Sequence, residues 1–242
     1  LGALQREHHV AKTKVVNARA AAPQLPIRQW VFAAPDGIRG KDLDARIHET
    51  LLAIEAVAFT DDDLDGLYPL SLSARTQVFK GRVNSGEIIP YFKDLSDPDH
   101  AVHSMYFHTR FSTNTAPHPS MAQPFRLMAH NGELNTDKKN RLSENAVALA
   151  RNKSIVRIKG QSDSCRLDQT LKSRVFDARL DLVTAVVAMM PPAGANDPRM
   201  SDEVKAMLEY FSLFEEKNDG PAALIFGDGN VVGARLDRLG LR

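Results

Sequence analysis

Two short stretches hold the side chains most able to do chemistry together: His108-Thr-Arg-Phe-Ser-Thr-Asn-Thr115 and Ala129-His-Asn-Gly-Glu-Leu-Asn-Thr136. The guanidinium fork of Arg110 matches a carboxylate in shape and charge. The Asn131 side-chain N–H beside the Gly132 backbone N–H would make a two-donor site for a developing oxyanion. Such a set suits a small zwitterion. Each member also has a plainer reading. Asn-Gly is the commonest type I′ hairpin corner, and a single arginine is more often a surface or structural cation. His108 and His130 read as structural histidines rather than a metal pair, because no third ligand follows at metal-binding spacing.

These groups need elements to hold them. Residues 101–108 read as a buried strand with Met105 and Phe107 on one face. Phe125, Leu127 and Ala129 alternate with Arg126, Met128 and His130 in a second strand pattern. Arg110 and Asn131 would then each sit just past a strand end, at a pocket mouth. Elsewhere, residues 1–26 read as a polar, alanine-rich arm or connector, and 27–242 as the main domain. Residues 27–32 suit a short strand. A helix starts at Asp42, with Leu43, Ile47, Leu51 and Ile54 at helical spacing. Residues 70–83 suit two antiparallel strands, 143–151 a helix and 154–158 a strand. Asp163 can cap a helix through Phe176, and Asp181 a second that ends before Pro191-Pro192. Ser201 can cap a third, with Val204, Met207, Leu208 and Phe211 on its buried face. Residues 222–226 and 231–235 flank the hairpin loop Gly227-Asp-Gly-Asn230. Hairpins interleaved with helices place the chain in the α+β class.

Several motifs in one order carry a resemblance. RFSTNT at 110–115 is followed by AQPFR at 122–126 and by AHNGELNT at 129–136. Ser71-Leu-Ser-Ala-Arg-Thr-Gln-Val-Phe-Lys-Gly81, Gly160-Gln-Ser-Asp-Ser164, Asn196-Asp-Pro198, Asp219-Gly-Pro-Ala222 and Gly233-Ala-Arg-Leu-Asp-Arg-Leu-Gly-Leu-Arg242 extend the series. This set resembles the glutamine amidotransferase domain of glutamate synthase large subunits, within the class II, N-terminal-nucleophile hydrolase family. The likeness is good from about residue 68 to 242 and weaker before that. It implies an αββα sandwich of two antiparallel sheets, incomplete at its N-terminus, with 27–242 forming the later part of the domain.

Composition agrees with an ordinary globular chain. The 242 residues are 25% charged and 43% hydrophobic, near average values. A net charge of +1 supplies no field that would favour nucleic acid or an anionic membrane. There is no apolar run of spanning length and no signal-peptide pattern at Leu1. The one cysteine, Cys165, excludes an internal disulfide framework and fits a reducing, cytoplasmic setting.

The resemblance implies a role for each site residue. Arg110 would hold the α-carboxylate of L-glutamine, with a hydroxyl contact from Thr113. Asp163 would take the α-ammonium, and Asn131 and Gly132 would form the oxyanion hole. The family's nucleophile is an N-terminal cysteine whose α-amino group acts as base, whereas this chain begins Leu1-Gly2-Ala3. The expectation is that the nucleophile segment lies outside this chain. Cys165, on the inner part of a helix, reads as an inert thiol. Ammonia would pass to an FMN-binding synthase domain or subunit that also holds an iron–sulfur cluster, and the chain itself would carry no cofactor and no metal. The alternative is a non-catalytic module that binds glutamine or a partner subunit. Departures from the family pattern concern the pocket surroundings: a shortened interval between Asn131 and Asp163, Lys138-Lys139 in place of an arginine-glycine pair, and Pro191-Pro192 after Met190.

Overall fold

The computed structural model describes residues 4–9, 26–110, 118–135, 138–194 and 197–242. Strands β1 (Leu4–His9) and β2 (Arg28–Phe32) pair antiparallel, so residues 4–9, expected within an arm, form a strand. Helix α1 (Gly40–Ala58) follows, then the short α2 (Ile88–Tyr91). Next come β3 (Met128–Gly132), α3 (Lys138–Ala150), α4 (Asp163–Phe176), α5 (Leu182–Met189) and α6 (Asp202–Ser212). The chain closes with the hairpin β4 (Ala222–Gly227) and β5 (Val232–Leu236).

Strands β3, β4 and β5 form one antiparallel sheet in that order. Side chains alternate across it, so the register divides the sheet into two faces. Met128 and His130, with Leu224 and Phe226 opposite them, occupy an inner face and are buried. Leu167 and Leu171 of α4 and Leu182, Ala185, Val186 and Met189 of α5 join them in the main core. Asn131, Ile225, Ala234, Val232 and Leu236 fall on the outer face, where Ile225 is 40% and Leu236 57% exposed.

The starts of α5 and α6 fall where the sequence places them, whereas α3 begins at Lys138 rather than 143 and α1 at Gly40 rather than Asp42. The Asp181 carboxylate accepts from Thr184 N–H at 2.9 Å and the Ser201 hydroxyl from Val204 N–H at 3.4 Å. The cap of α4 is Ser162 rather than Asp163: its Oγ accepts from Cys165 N–H at 3.2 Å. The shorter, uncharged side chain closes the first turn and leaves the Asp163 carboxylate free for another partner. On α6, Phe211 is buried as expected, but Val204 is 39% exposed.

Three expected strand regions are not strands. Residues 70–83, 101–108 and 154–158 have irregular backbone, and Met105 and Phe107 are 71% and 72% exposed rather than buried. Their alternation is real, but a strand forms only when a neighbour supplies its ladder partners. Among the described residues, none pairs with 101–108. Residues 70–83 are instead tied down by side chains. Ser73 Oγ accepts from the N–H groups of Arg75 and Thr76, both at 3.1 Å. Lys80 Nζ donates to the carbonyls of Pro119 at 3.0 Å and Ala122 at 2.8 Å.

Candidate active site

The site is built at the end of β3. Leu127 O accepts from Gly227 N–H and Glu133 N–H donates to Pro221 O. In an antiparallel ladder, hydrogen-bonding direction alternates with each residue, so residues 127, 129, 131 and 133 address β4. Residues 128, 130 and 132 therefore address the opposite, open edge. Met128 O there accepts from Phe125 N–H at 2.8 Å, and both backbone groups of His130 are met by the Gln123 side chain. The next member of the outward series is Gly132. Its N–H points away from β4.

Gly132 sits at φ +143°, and a Cβ there would lie 1.8 Å from Pro221 O. No other residue fits without parting the strands. Across the pair, Gly220 (φ +116°) makes the same approach: its Cβ would fall 2.2 Å from Glu133 O. The Asp219-Gly-Pro-Ala222 motif is thus the rail along which His130-Asn-Gly-Glu133 is laid. The bridge between Asn135 and Asp219 continues that pairing. Asn131-Gly132 is a strand terminus, not a hairpin corner.

Helix α4 brings the second element. Ser164 Oγ is hydrogen bonded to His130 Nε2, so Asn131 and Asp163, each adjacent to one of those residues, lie at the same end of the layer. Asp163 is the first residue of α4 and half-buried. Burial, with a smaller contribution from nearby His108, lowers His130 to about 4. It is therefore neutral at pH 7, and the Ser164 contact holds a ring rather than a cation. Arg110 is exposed, its backbone N–H and carbonyl both at the His108 ring, Nδ1 lying 3.2 Å and 2.8 Å away. Thr113 lies outside the described residues.

One turn further along α4, Asp168 is buried and accepts from Leu127 N–H at 2.8 Å and Arg126 N–H at 3.3 Å. Burial raises its pKa against the pull of those amides and of Arg126. The Arg126 guanidinium in turn meets Glu55 of α1 at 2.6 Å and lies over the Tyr68 ring, 5.1 Å from its centroid. The entry to β3 is thus clamped by charges with almost no access to water.

Cys165 faces this interior. It is 5% exposed, and burial raises its pKa, so it stays a thiol and is remote in character from a nucleophile. The sequence marks Asn131, Gly132, Arg110 and Asp163 as candidates but gives no role to Gln123, Ser164 or Asp168. No local sequence signal marked these three side chains. No helix among the described residues is long and apolar enough to cross a membrane.

Residues 5–242 match the family model of class-II glutamine amidotransferases. The chain is 35% identical over 241 residues to ferredoxin-dependent glutamate synthase 2 of Synechocystis sp., covering 94% of this chain and 15% of that protein. It is 37% identical over 187 residues to the ferredoxin-dependent glutamate synthase of Antithamnion sp., covering 72% and 12%. Against the glutamate synthase (NADH) of Saccharomyces cerevisiae it is 38% identical over 186 residues, covering 72% and 8%. The chain thus spans 8–15% of the length of these relatives. The family match over residues 5–242 makes this chain a member of the class-II glutamine amidotransferases.

Proposed function

We propose that the chain is the glutamine-hydrolysing portion of a glutamate synthase, in which Asn131 and Gly132 stabilise the oxyanion and Arg110, Thr113 and Asp163 bind L-glutamine. The observation that carries this reading is the outward direction of Gly132 N–H at the end of β3, immediately after Asn131. Arg110 takes the α-carboxylate and Asp163 the α-ammonium, a pair of charges that only an amino-acid substrate offers together. The side-chain amide then lies towards β3.

A thiolate attacks that amide carbon, and the carbonyl oxygen gathers negative charge between the Asn131 amide and Gly132 N–H. Collapse expels ammonia, protonated on leaving, and leaves a glutamyl thioester. Water repeats the sequence and releases glutamate. The buried Cys165 is not the source of that thiolate in this reading. The bare outer face of the β3–β5 sheet, with Ile225, Val232 and Leu236 exposed, is where the second sheet of an αββα sandwich would lie.

Ammonia passes to 2-oxoglutarate in a synthase portion that holds FMN and an iron–sulfur cluster. Such a cluster does not fit the residues here: clusters are held by several cysteine thiolates, and one buried cysteine cannot supply them.

A diazo-ketone analogue of glutamine tests the assignment in the full-length protein. Labelling should occur once, at an N-terminal cysteine, and leave Cys165 unmodified. Labelling at Cys165 would overturn the placement of the chemistry. Glutamine binding with no labelling anywhere would favour a non-catalytic module.

A further inference from the structure

A bare strand edge is a poor mount for a catalytic donor, because its outward N–H and C=O groups have no ladder to fix them. β3 is such an edge among the described residues. Yet at His130, one residue before Asn131, both outward groups are satisfied by one side chain. Gln123 Oε1 accepts from His130 N–H at 2.6 Å, and Gln123 Nε2 donates to His130 O at 3.0 Å. A primary amide offers one donor and one acceptor in a plane, the same pair a neighbouring strand would present.

We infer that Gln123 is a positioning residue for the oxyanion hole: its amide substitutes for a missing strand at His130 and thereby fixes where Asn131 and Gly132 point. This rests on the oxyanion role proposed above for those two residues.

The mount of Gln123 supports this role. Ala122, just before it, is 1% exposed, and its carbonyl accepts from the buried Lys80 ammonium at 2.8 Å. Met121 Sδ meets Ser162 N–H at 3.3 Å, which ties the same turn to the start of α4. On the far side, Phe125 N–H holds Met128 O. The segment 121–125 is thus anchored at Lys80, at α4 and at β3, and Gln123 delivers that rigidity to the residue adjoining Asn131. The neighbouring His130 ring is held separately by Ser164. Backbone and side chain of His130 are fixed by different partners, and among the described residues none meets the outward N–H of Gly132.

The distinction from a merely structural glutamine lies in which kinetic constant moves. Arg110 and Asp163 bind the two charged ends of glutamine and do not touch Gln123. Loss of the clamp should therefore spare ground-state binding and weaken the transition state. Gln123→Met, near in volume and without either hydrogen bond, should lower kcat on the order of 10- to 100-fold, the scale of an ångström-sized misplacement, with KM for glutamine changed less than about twofold. Gln123→Glu keeps the acceptor for His130 N–H but loses the donor, and should fall between wild type and Gln123→Met.

Both variants are made in the full-length enzyme alongside Asn131→Ala, with amide hydrogen exchange followed across residues 128–133. Faster exchange at His130 in Gln123→Met, together with the kcat-selective loss, is the expected result. If Asn131→Ala lowers turnover while both Gln123 variants keep wild-type kcat, the positioning role is wrong and the oxyanion assignment stands. If Asn131→Ala is itself unaffected, the oxyanion assignment fails instead. Equal losses in kcat and glutamine affinity, or a Gln123→Met that does not fold while Gln123→Glu folds with wild-type kcat, would mark Gln123 as structural only.

Discussion

The two faces of the β3–β4–β5 sheet are made from the same strands yet behave as different materials. The inner face carries Met128, Leu224 and Phe226 against α4 and α5, with each of these residues at most 4% exposed. The outer face carries Asn131 beside apolar Ile225, Val232 and Leu236, the last three all at least 40% exposed. Stability is concentrated on one side, and the candidate residue Asn131 lies on the other. A strand can serve both because side chains alternate, and because its edge hydrogen bonds are independent of either face.

The comparison predicts a graded set of effects. The largest belongs to the residue where faces and edge meet. Gly132→Ala should cost on the order of 4 kcal/mol, because its Cβ would collide with the Pro221 carbonyl 1.8 Å away, and should abolish glutaminase turnover. Denaturant unfolding and single-turnover assays check the two halves. A stable, active alanine variant would mean that the close approach does not exist.

Leu224→Ala, on the inner face at 2% exposure, should cost about 2–5 kcal/mol, read from the unfolding midpoint. A loss below about 1 kcal/mol would break the contrast between faces.

Acid should act through the inner face as well. Burial lowers the His130 pKa in the folded state to about 4 from its ordinary 6.5, so below pH 6.5 the unfolded chain binds a proton that the folded one refuses. Stability contributed by neutral His130 is complete above pH 6.5 and is lost as pH falls towards about 4, by about 3 kcal/mol at most. Chemical denaturation across pH 7.5 to 4 should show this slope, and His130→Asn should flatten it. An unchanged slope in the variant would assign the acid sensitivity elsewhere.

The smallest effect is expected on the outer face, where Ile225→Ala in this 242-residue chain should cost about 1 kcal/mol or less. A loss equal to that of Leu224→Ala would show that a second layer already covers the outer face.

Much of this was legible in the sequence for local reasons. Asp181 and Ser201 were readable as caps because a cap is made within four residues, and 222–235 as a hairpin because its loop and alternation are contiguous. Asn131 and Gly132 were legible as a motif, though their backbone direction depends on Pro221 and Gly227, nearly a hundred residues away in sequence. The failures are also non-local. Residues 101–108 alternate as a strand should, yet alternation records only which faces differ in polarity and not whether a partner is there. The roles of Gln123 and Asp168 were invisible for a related cause. Each replaces backbone partners with a side chain, and nothing in a glutamine or an aspartate marks it for that use.

The hydrogen bond between His130 and Ser164 has one consequence beyond holding a ring. On the proposed reading it joins the strand that meets the amide end of the substrate to the helix that meets its ammonium end. The gap between those two ends is then a property of a single joint, not of a flexible loop. Asparagine is one methylene shorter than glutamine, so it could satisfy the ammonium site or the oxyanion site but not both. Selection for chain length would come from stiffness, with no side chain placed to exclude the shorter amino acid.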